Sequence, residues 1–212
     1  MEKIRVFIVE DDPDWLKGLA DYLEKQVDLA VVGTAPTKEA ALAWFRQMDA
    51  DVVLMDINLT ENNLDGIEAA LELTELRSDC KLIMLTSLTA DDVIIEAFSA
   101  GAVNYIGKSD FKEIPEAIRT AHSRQSSIHP TAAAVLRQEF LRLKNEEDQK
   151  LLSPAEKELL QLIHQGQTQS QIEKTLHITK RTIKNHINRI LKKMGVKTSK
   201  EAAAKAKQKR LF

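Results

Sequence analysis

The chain has almost no cysteine. Cys80 is the single one among 212 residues, so no disulfide can form within the chain. That suits a reducing compartment, and a cytoplasmic location is the expectation. Long apolar runs are missing too. None approaches the roughly 20 residues of a membrane span, so no membrane partner is expected. The opening stretch, MEKIRVFIVE, has too short an apolar run for a signal peptide, and acids follow it at once. A large net charge is also absent: it is −2 at pH 7. What remains is 43% hydrophobic and 29% charged, ordinary for a soluble globular protein. At this length one or two domains are expected.

The small net charge conceals two opposed halves. From Leu151 onward, 14 Lys and Arg stand against 4 Asp and Glu; the first 150 residues carry 16 against 28. An acidic half with one task and a basic half that meets a polyanion is one reading. A merely solvated basic face is the other.

Residues 1–124 repeat one pattern five times. The short β-rich runs IRVFIV, LAVVG, DVVLM, KLIMLT and AVNYIG alternate with stretches of helical period. Asp12 and Pro13 read as N-cap and first helical residue. Trp15, Leu16, Leu19, Ala20 and Leu23 then share one helix face. Thr37 opens a second helix, with Ala41, Trp44, Phe45 and Met48 inward. Asp65 opens a third, Thr89 a fourth that stops at Gly101, and Asp110 a fifth. Such alternation predicts right-handed βαβ units and a parallel sheet covered on both faces.

In an open parallel sheet the crevice lies beyond the carboxyl ends of the strands, where strand order reverses. Strand one ends in Glu10-Asp11-Asp12, strand three in Asp56, strand four in Thr86-Ser87, strand five in Gly107-Lys108. Strand two ends in Gly33-Thr34, without charge, and so fits the edge of an order 2-1-3-4-5. That order sets strands one and three side by side, with their carboxylates facing. Close carboxylates repel, and one stays protonated unless a cation sits among them. Oxygen ligands with room for water suit Mg²⁺, with Mn²⁺ as substitute. Lys108 adds an ammonium and Thr86 a hydroxyl. Asp56 would then be a nucleophile forming an acyl phosphate. Asp12 and Asp65 read as helix caps and Cys80 as inert.

VFIVEDDP, DVVLMDINL, DG, LTS and YIGKSD together resemble the receiver domains of two-component response regulators. The resemblance covers residues 3 to about 124 and implies a flavodoxin-like fold. It makes Asp56 the phosphoacceptor for a sensor histidine kinase, and Glu10, Asp11, Asp56 and the Asn58 carbonyl the metal ligands. Thr86 and Lys108 become the phosphoryl-stabilising groups, and Thr86 with Tyr105 the switch pair. One departure stands out. Thr60 replaces the usual proline four residues after the acceptor, and LTENNLDG is two residues longer than usual.

Residues 125–150 read as a helical linker, with Val135, Leu136, Phe140 and Leu143 on one side. Beyond it, Ser153, Pro154 and Glu156 form a capping box with proline at the first helical position. Thr168 and Gln171 repeat the device. After the turn HI, Thr179 caps a last long helix that Gly195 stops. Ile183, Ile187, Ile190, Leu191 and Met194 make its inner stripe. Arg181, Lys184, Asn185, Asn188 and Lys192 fall opposite. Two helices across a tight turn, the second with a basic and amide face, are a helix-turn-helix. Residues 151–212 are thus expected to form a small all-α domain that meets double-stranded DNA.

LSPAEKELLQLIHQGQTQSQI and ITKRTIKNHINRILKKMGV resemble the LuxR-type helix-turn-helix of the NarL/FixJ regulators. By that resemblance Lys184, Asn185 and Asn188 face bases, and Lys180, Arg181, Thr182 and Lys193 face the DNA backbone. SKEAAAKAKQKR matches the fourth helix, where such domains often dimerise. The whole chain then implies a non-enzymatic transcription factor, a homodimer when phosphorylated or DNA-bound, with RNA polymerase as a further candidate partner. Two other readings stay open. One is a DNA-binding regulator whose receiver only mediates protein contacts. The other is a Mg²⁺-dependent aspartyl phosphohydrolase, which lacks an evident general acid because Asn58 stands two residues after the nucleophile.

Overall fold

Five apolar runs become the strands of one parallel sheet in a computed structural model, which describes residues 2–60, 64–77, 79–87, 90–123 and 128–212. They are β1 (Ile4–Val9), β2 (Leu29–Ala35), β3 (Val52–Asp56), β4 (Lys81–Thr86) and β5 (Asn104–Gly107). Their order is β2-β1-β3-β4-β5, as the strand ends suggested. Side chains alternate across a strand with period two, and the core divides accordingly. Val6, Ile8, Val52, Leu54, Ile83, Leu85 and Ile106 face one layer, with Leu19, Leu23 and Ile118. Phe7, Val9, Val53, Met55, Leu82 and Met84 face the other, with Phe45, Leu73 and Ile94. Near-continuous apolar strands follow from burial on both faces.

The helices flanking the sheet are α1 (Pro13–Glu24), α2 (Lys38–Phe45), α3 (Asp65–Leu76), α4 (Asp91–Ser99) and α5 (Ile114–His122). Asp12 caps α1 by accepting from the N–H groups of Asp14 and Trp15, and Thr37 caps α2 through Ala40 N. Each such cap stabilises by about 1 kcal/mol. Three expectations need correction. Helix α5 starts at Ile114, because Lys108–Glu113 form a 3₁₀ segment around Asp110. Met48 lies beyond α2 and is 52% exposed. Asp65 is not the N-cap of α3; it is the first helical residue, and its carboxylate reaches back to the loop before it. Thr89, residues 61–63 of the lengthened loop and residues 125–127 of the linker lie outside the described residues.

The chain divides into two compact units, 1–138 and 139–212. One helix, α6 (Pro130–Leu151), occupies most of the expected linker and is shared between them. Ala132, fully buried, and Ile128 and Val135 pack into the first unit's core. Asn104 Oδ1 accepts from His129 N at 2.9 Å, which holds the start of α6 to β5. At the other end Asp148 pairs with Lys209 at 2.6 Å and Gln149 donates to the Arg210 carbonyl. The second unit adds α7 (Pro154–His164), α8 (Gln169–Leu176), α9 (Lys180–Met194) and α10 (Ser199–Gln208) around Leu159, Leu160, Ile183, Ile190 and Ala203. Both expected capping boxes form, and Thr179 caps α9.

Candidate functional site

The same alternation that sorts the core builds the site. Glu10, Asp56 and Lys108 each continue the even-numbered rows of β1, β3 and β5, so all three leave the sheet on one side. Lys108 Nζ lies 2.9 Å from Glu10 Oε1 and 2.9 Å from Asp56 Oδ2. It also sits 4.7 Å above the ring of Trp15, which screens the ammonium from solvent. Glu10 is fully buried and Asp56 nearly so. Burial raises the pKa of Glu10, the Lys108 hydrogen bond opposes that, and the Asp56 charge adds to the rise. Burial likewise raises Asp56 against the pull of Lys108 and the N–H groups of Ile57 and Asn58. Burial works to lower the pKa of Lys108, yet its bonds to Glu10 and Asp56 prevail and raise it. One cation thus serves two buried carboxylates.

That leaves the pocket short of positive charge. Glu10 Oε2 lies 2.8 Å from Nζ as an ion-pair contact and accepts no hydrogen bond. Oxygens of Glu10, Asp11 and Asp56 all fall within 4.8 Å of one another. A buried carboxylate oxygen with no hydrogen bond, beside two further carboxylates, is a donor set that fits a hard divalent cation. Asn58 is half-buried beside them.

The loop after β3 has its own brace. Asp65 Oδ1 accepts from Leu59 N at 2.8 Å and Oδ2 from Thr60 Oγ1 at 2.7 Å. Gly66 N donates to the Ile57 carbonyl at 3.0 Å. Thr60, standing where a proline was expected, is therefore a participant. Trp15 also borders the site; in the sequence it is only part of an apolar helix face, because its contact joins α1 to Lys108, just beyond β5.

Thr86 stands one residue beyond Leu85, the cross-strand partner of Asp56. It leaves β4 on the layer opposite to Asp56, where Tyr105 also lies. The Tyr105 ring is 4% exposed. Burial raises its phenol pKa, partly offset by a hydrogen bond with Thr86. The expected switch pair is in contact.

In the second unit α8 and α9 are joined through His177, whose φ of 53° is left-handed. Lys180, Arg181, Lys184, Asn185 and Asn188 are exposed along α9, while Thr182 is half-buried. Lys193 differs. Its Nζ binds Glu156 Oε2 at 2.6 Å, so it has an internal role, with a side chain 42% exposed. Lys205 donates to the Met194 carbonyl, and Lys209 is held by Asp148. These two lysines, Lys205 within α10 and Lys209 at its C-cap, terminate and tether helices.

Glu156 is 3% exposed and accepts from Ser153 N as well as Lys193. Burial alone would raise its pKa, but the Lys193 hydrogen bond, the Ser153 N–H and the Lys193 charge together lower it. A depressed carboxylate pKa means stability that is present above the unfolded value and lost as pH falls through the folded one. The thermal stability of the second unit should therefore fall as pH drops below the ordinary glutamate value of 4.5. Glu156→Ala should cost about 2–3 kcal/mol at neutral pH and flatten that acid limb. An unaltered acid limb in the variant would reject the assignment.

Comparison with known proteins agrees with both units. Residues 6–119 match the response regulator receiver domain, and 150–206 match the bacterial regulatory proteins of the luxR family. The transcriptional regulatory protein LiaR of Bacillus subtilis is 35% identical, the match covering 98% of this chain and 99% of LiaR. The response regulator VraR of Staphylococcus aureus is 31% identical over 99% of both chains. Among solved structures, the response regulator ChrA of a heme-sensing two-component system aligns over all of both chains, with TM-score 0.51 and 27% identity. No described helix is long and apolar enough to cross a membrane. The chain belongs to the NarL/FixJ, LuxR-type response regulators, transcription regulators in which a receiver precedes a helix-turn-helix DNA-binding domain.

Proposed function

We propose that this protein is cytoplasmic, that Asp56 accepts a phosphoryl group from a sensor histidine kinase, and that the acyl phosphate controls dimerisation and promoter binding through α9. The observation that carries this is Lys108, bridging Glu10 and Asp56 beside Asp11 at the carboxyl edge of the sheet. An Asp56 oxygen attacks phosphorus, a P–O bond forms, and the P–N bond to the kinase imidazole breaks. Imidazole leaves with the electron pair. Lys108 is placed to neutralise charge on the transferred oxygens. Glu10, Asp11, Asp56 and the Asn58 carbonyl would hold Mg²⁺, or Mn²⁺, which when bound supplies further charge neutralisation for phosphoryl transfer.

Coupling to the rest of the receiver runs through Thr86. Its hydroxyl already meets Tyr105, so drawing Thr86 toward an acyl phosphate changes what the buried ring packs against. Tyr105 shares its cluster with Ala132 of α6, and adjacent Asn104 holds His129. Gel filtration of the full chain with and without beryllofluoride tests the control step. A shift toward dimer with tighter promoter binding is expected; identical elution and affinity would overturn it.

On the DNA side Lys184, Asn185 and Asn188 are placed to read base edges in the major groove, with Lys180, Arg181 and Thr182 on phosphates. Lys184→Ala or Asn188→Ala should cost about 1–3 kcal/mol on the preferred site and relax base choice there. Lys180→Ala should weaken all sequences alike and reduce the salt slope by about one. It is a cleaner probe than Lys193, whose loss also breaks the pair with Glu156. A site-selection profile unchanged by Lys184→Ala would count against the recognition face.

A further inference from the structure

Helix α6 leaves a stripe of large apolar side chains uncovered. Phe140 is 65% exposed and Leu143 51%; Ala133 is exposed and Leu136 half-buried. Residues 133, 136, 140 and 143 are spaced three, four and three apart, the a/d rhythm of a two-helix seam. Other positions of α6 make its packing contacts. Ala132 and Val135 belong to the first core, and Asp148 and Gln149 bond to Lys209 and the Arg210 carbonyl. None of the four stripe residues belongs to a core cluster of either unit.

The charges flanking the stripe are sorted by sign. Arg137 and Lys144 border one edge, Glu139 and Glu146 the other. We propose that α6 pairs in parallel with α6 of a second copy of this chain, through Ala133, Leu136, Phe140 and Leu143. The flanking charges choose the direction. In a parallel pair, a residue at one edge faces the residue five places on in the other helix, so Glu139 meets the partner's Lys144 on both sides of the seam. An antiparallel pair would set Glu against Glu and Lys against Arg or Lys. In the single chain Glu139 is bonded to Arg142 at 2.7 Å and Lys144 to Glu147 at 2.6 Å. Such neighbours on one helix are worth only a few tenths of a kcal/mol each, so they exchange readily for contacts across a seam.

Glu147 and Lys150 take the next two seam positions and end it. A seam this short does not hold two chains alone. It closes when another contact raises the effective concentration of the second helix. This rests on the proposal that phosphorylation favours a dimer, and it specifies where the helices of that dimer meet. A parallel seam delivers both copies of the helix-turn-helix unit from the same end of the pair, as two half-sites on one DNA require.

Single cysteines in the full chain test this under beryllofluoride and mild oxidation. Native Cys80 is a quiet background, since burial pushes its thiol pKa up to about 12. Leu136→Cys and Leu143→Cys should each form a disulfide-linked dimer, because parallel pairing brings each residue to its own copy. Leu141→Cys, 55% exposed but off the stripe, should not. Glu139→Lys and Lys144→Glu should each weaken dimerisation, and the double exchange should restore it. Residues five apart do not touch within one helix, so that rescue reports a contact between chains. Phe140→Ser, at an exposed site, should weaken dimerisation about tenfold or more. A beryllofluoride-induced dimer with no linkage at 136 or 143 overturns the seam and leaves the phosphoacceptor reading standing. Linkage at Leu141→Cys equal to that at Leu143→Cys also overturns it. A chain that stays monomeric throughout removes both.

Discussion

Asp56→Asn is expected to abolish labelling by a small phosphodonor and to raise the thermal midpoint of the first unit. The two effects have one cause. Asp56 is 5% exposed and burial lifts its pKa despite the ammonium of Lys108. A carboxylate whose folded pKa is raised destabilises the fold at pH values above its unfolded pKa, because ionisation is easier in the unfolded chain. Asparagine has the same shape and no charge to bury. Lys108 still has Glu10, at 2.8–2.9 Å, so the substitution leaves no unpaired ammonium. The nucleophile, however, is gone, and a neutral amide forms no acyl phosphate. Measurement of phosphate incorporation and of thermal unfolding in chelator, side by side, checks both parts. Retained labelling would reject Asp56 as the acceptor. Lost labelling with a lower midpoint would show that Lys108 holds Asp56 more tightly than burial penalises it.

The strand ends were readable because a parallel sheet puts every carboxyl terminus on one edge. Four of five runs ended in a group capable of chemistry, and the alternation of Val6, Ile8 and Glu10 with Val52, Leu54 and Asp56 fixes which side those groups leave. Caps were readable because Asp12, Thr37, Ser153, Thr168 and Thr179 act on N–H groups two or three residues away. Long-range roles were not readable. Nothing in the sequence around Trp15 records that Lys108, 93 positions on, will sit above its ring. Lys193 looked like one more cation on a basic helix until Glu156 took it. The start of α5 differs for a related reason: Asp110 has capping chemistry, but its backbone, at φ −97° and ψ 25°, is a non-helical kink within the 3₁₀ segment, and α5 begins only at Ile114. Local chemistry names what a residue can do; only the packed chain decides which partner it meets.

Asp65-Gly66 joins the two kinds of information and gives the sharper structural test. The pair was visible as part of the receiver resemblance, without a reason for glycine. A Cβ on Gly66 would stand 1.9 Å from the Asp56 carbonyl oxygen and 2.8 Å from that of Ile57. Both are backbone atoms of the segment that carries the phosphoacceptor, and neither can turn aside as a flexible side chain would. Gly66→Ala should therefore cost about 3 kcal/mol or more and slow labelling of Asp56, because relief requires the end of β3 or the start of α3 to move. Gly18→Ala is the matched opposite. Gly18 lies within α1, with nothing within 4 Å of an added Cβ. There alanine should stabilise by about 0.5–1 kcal/mol and leave labelling unchanged. Denaturant unfolding of both variants separates a steric demand at one glycine from the general helix preference of alanine. Equal shifts in one direction would show that close approach to Asp56 is not what requires glycine at position 66.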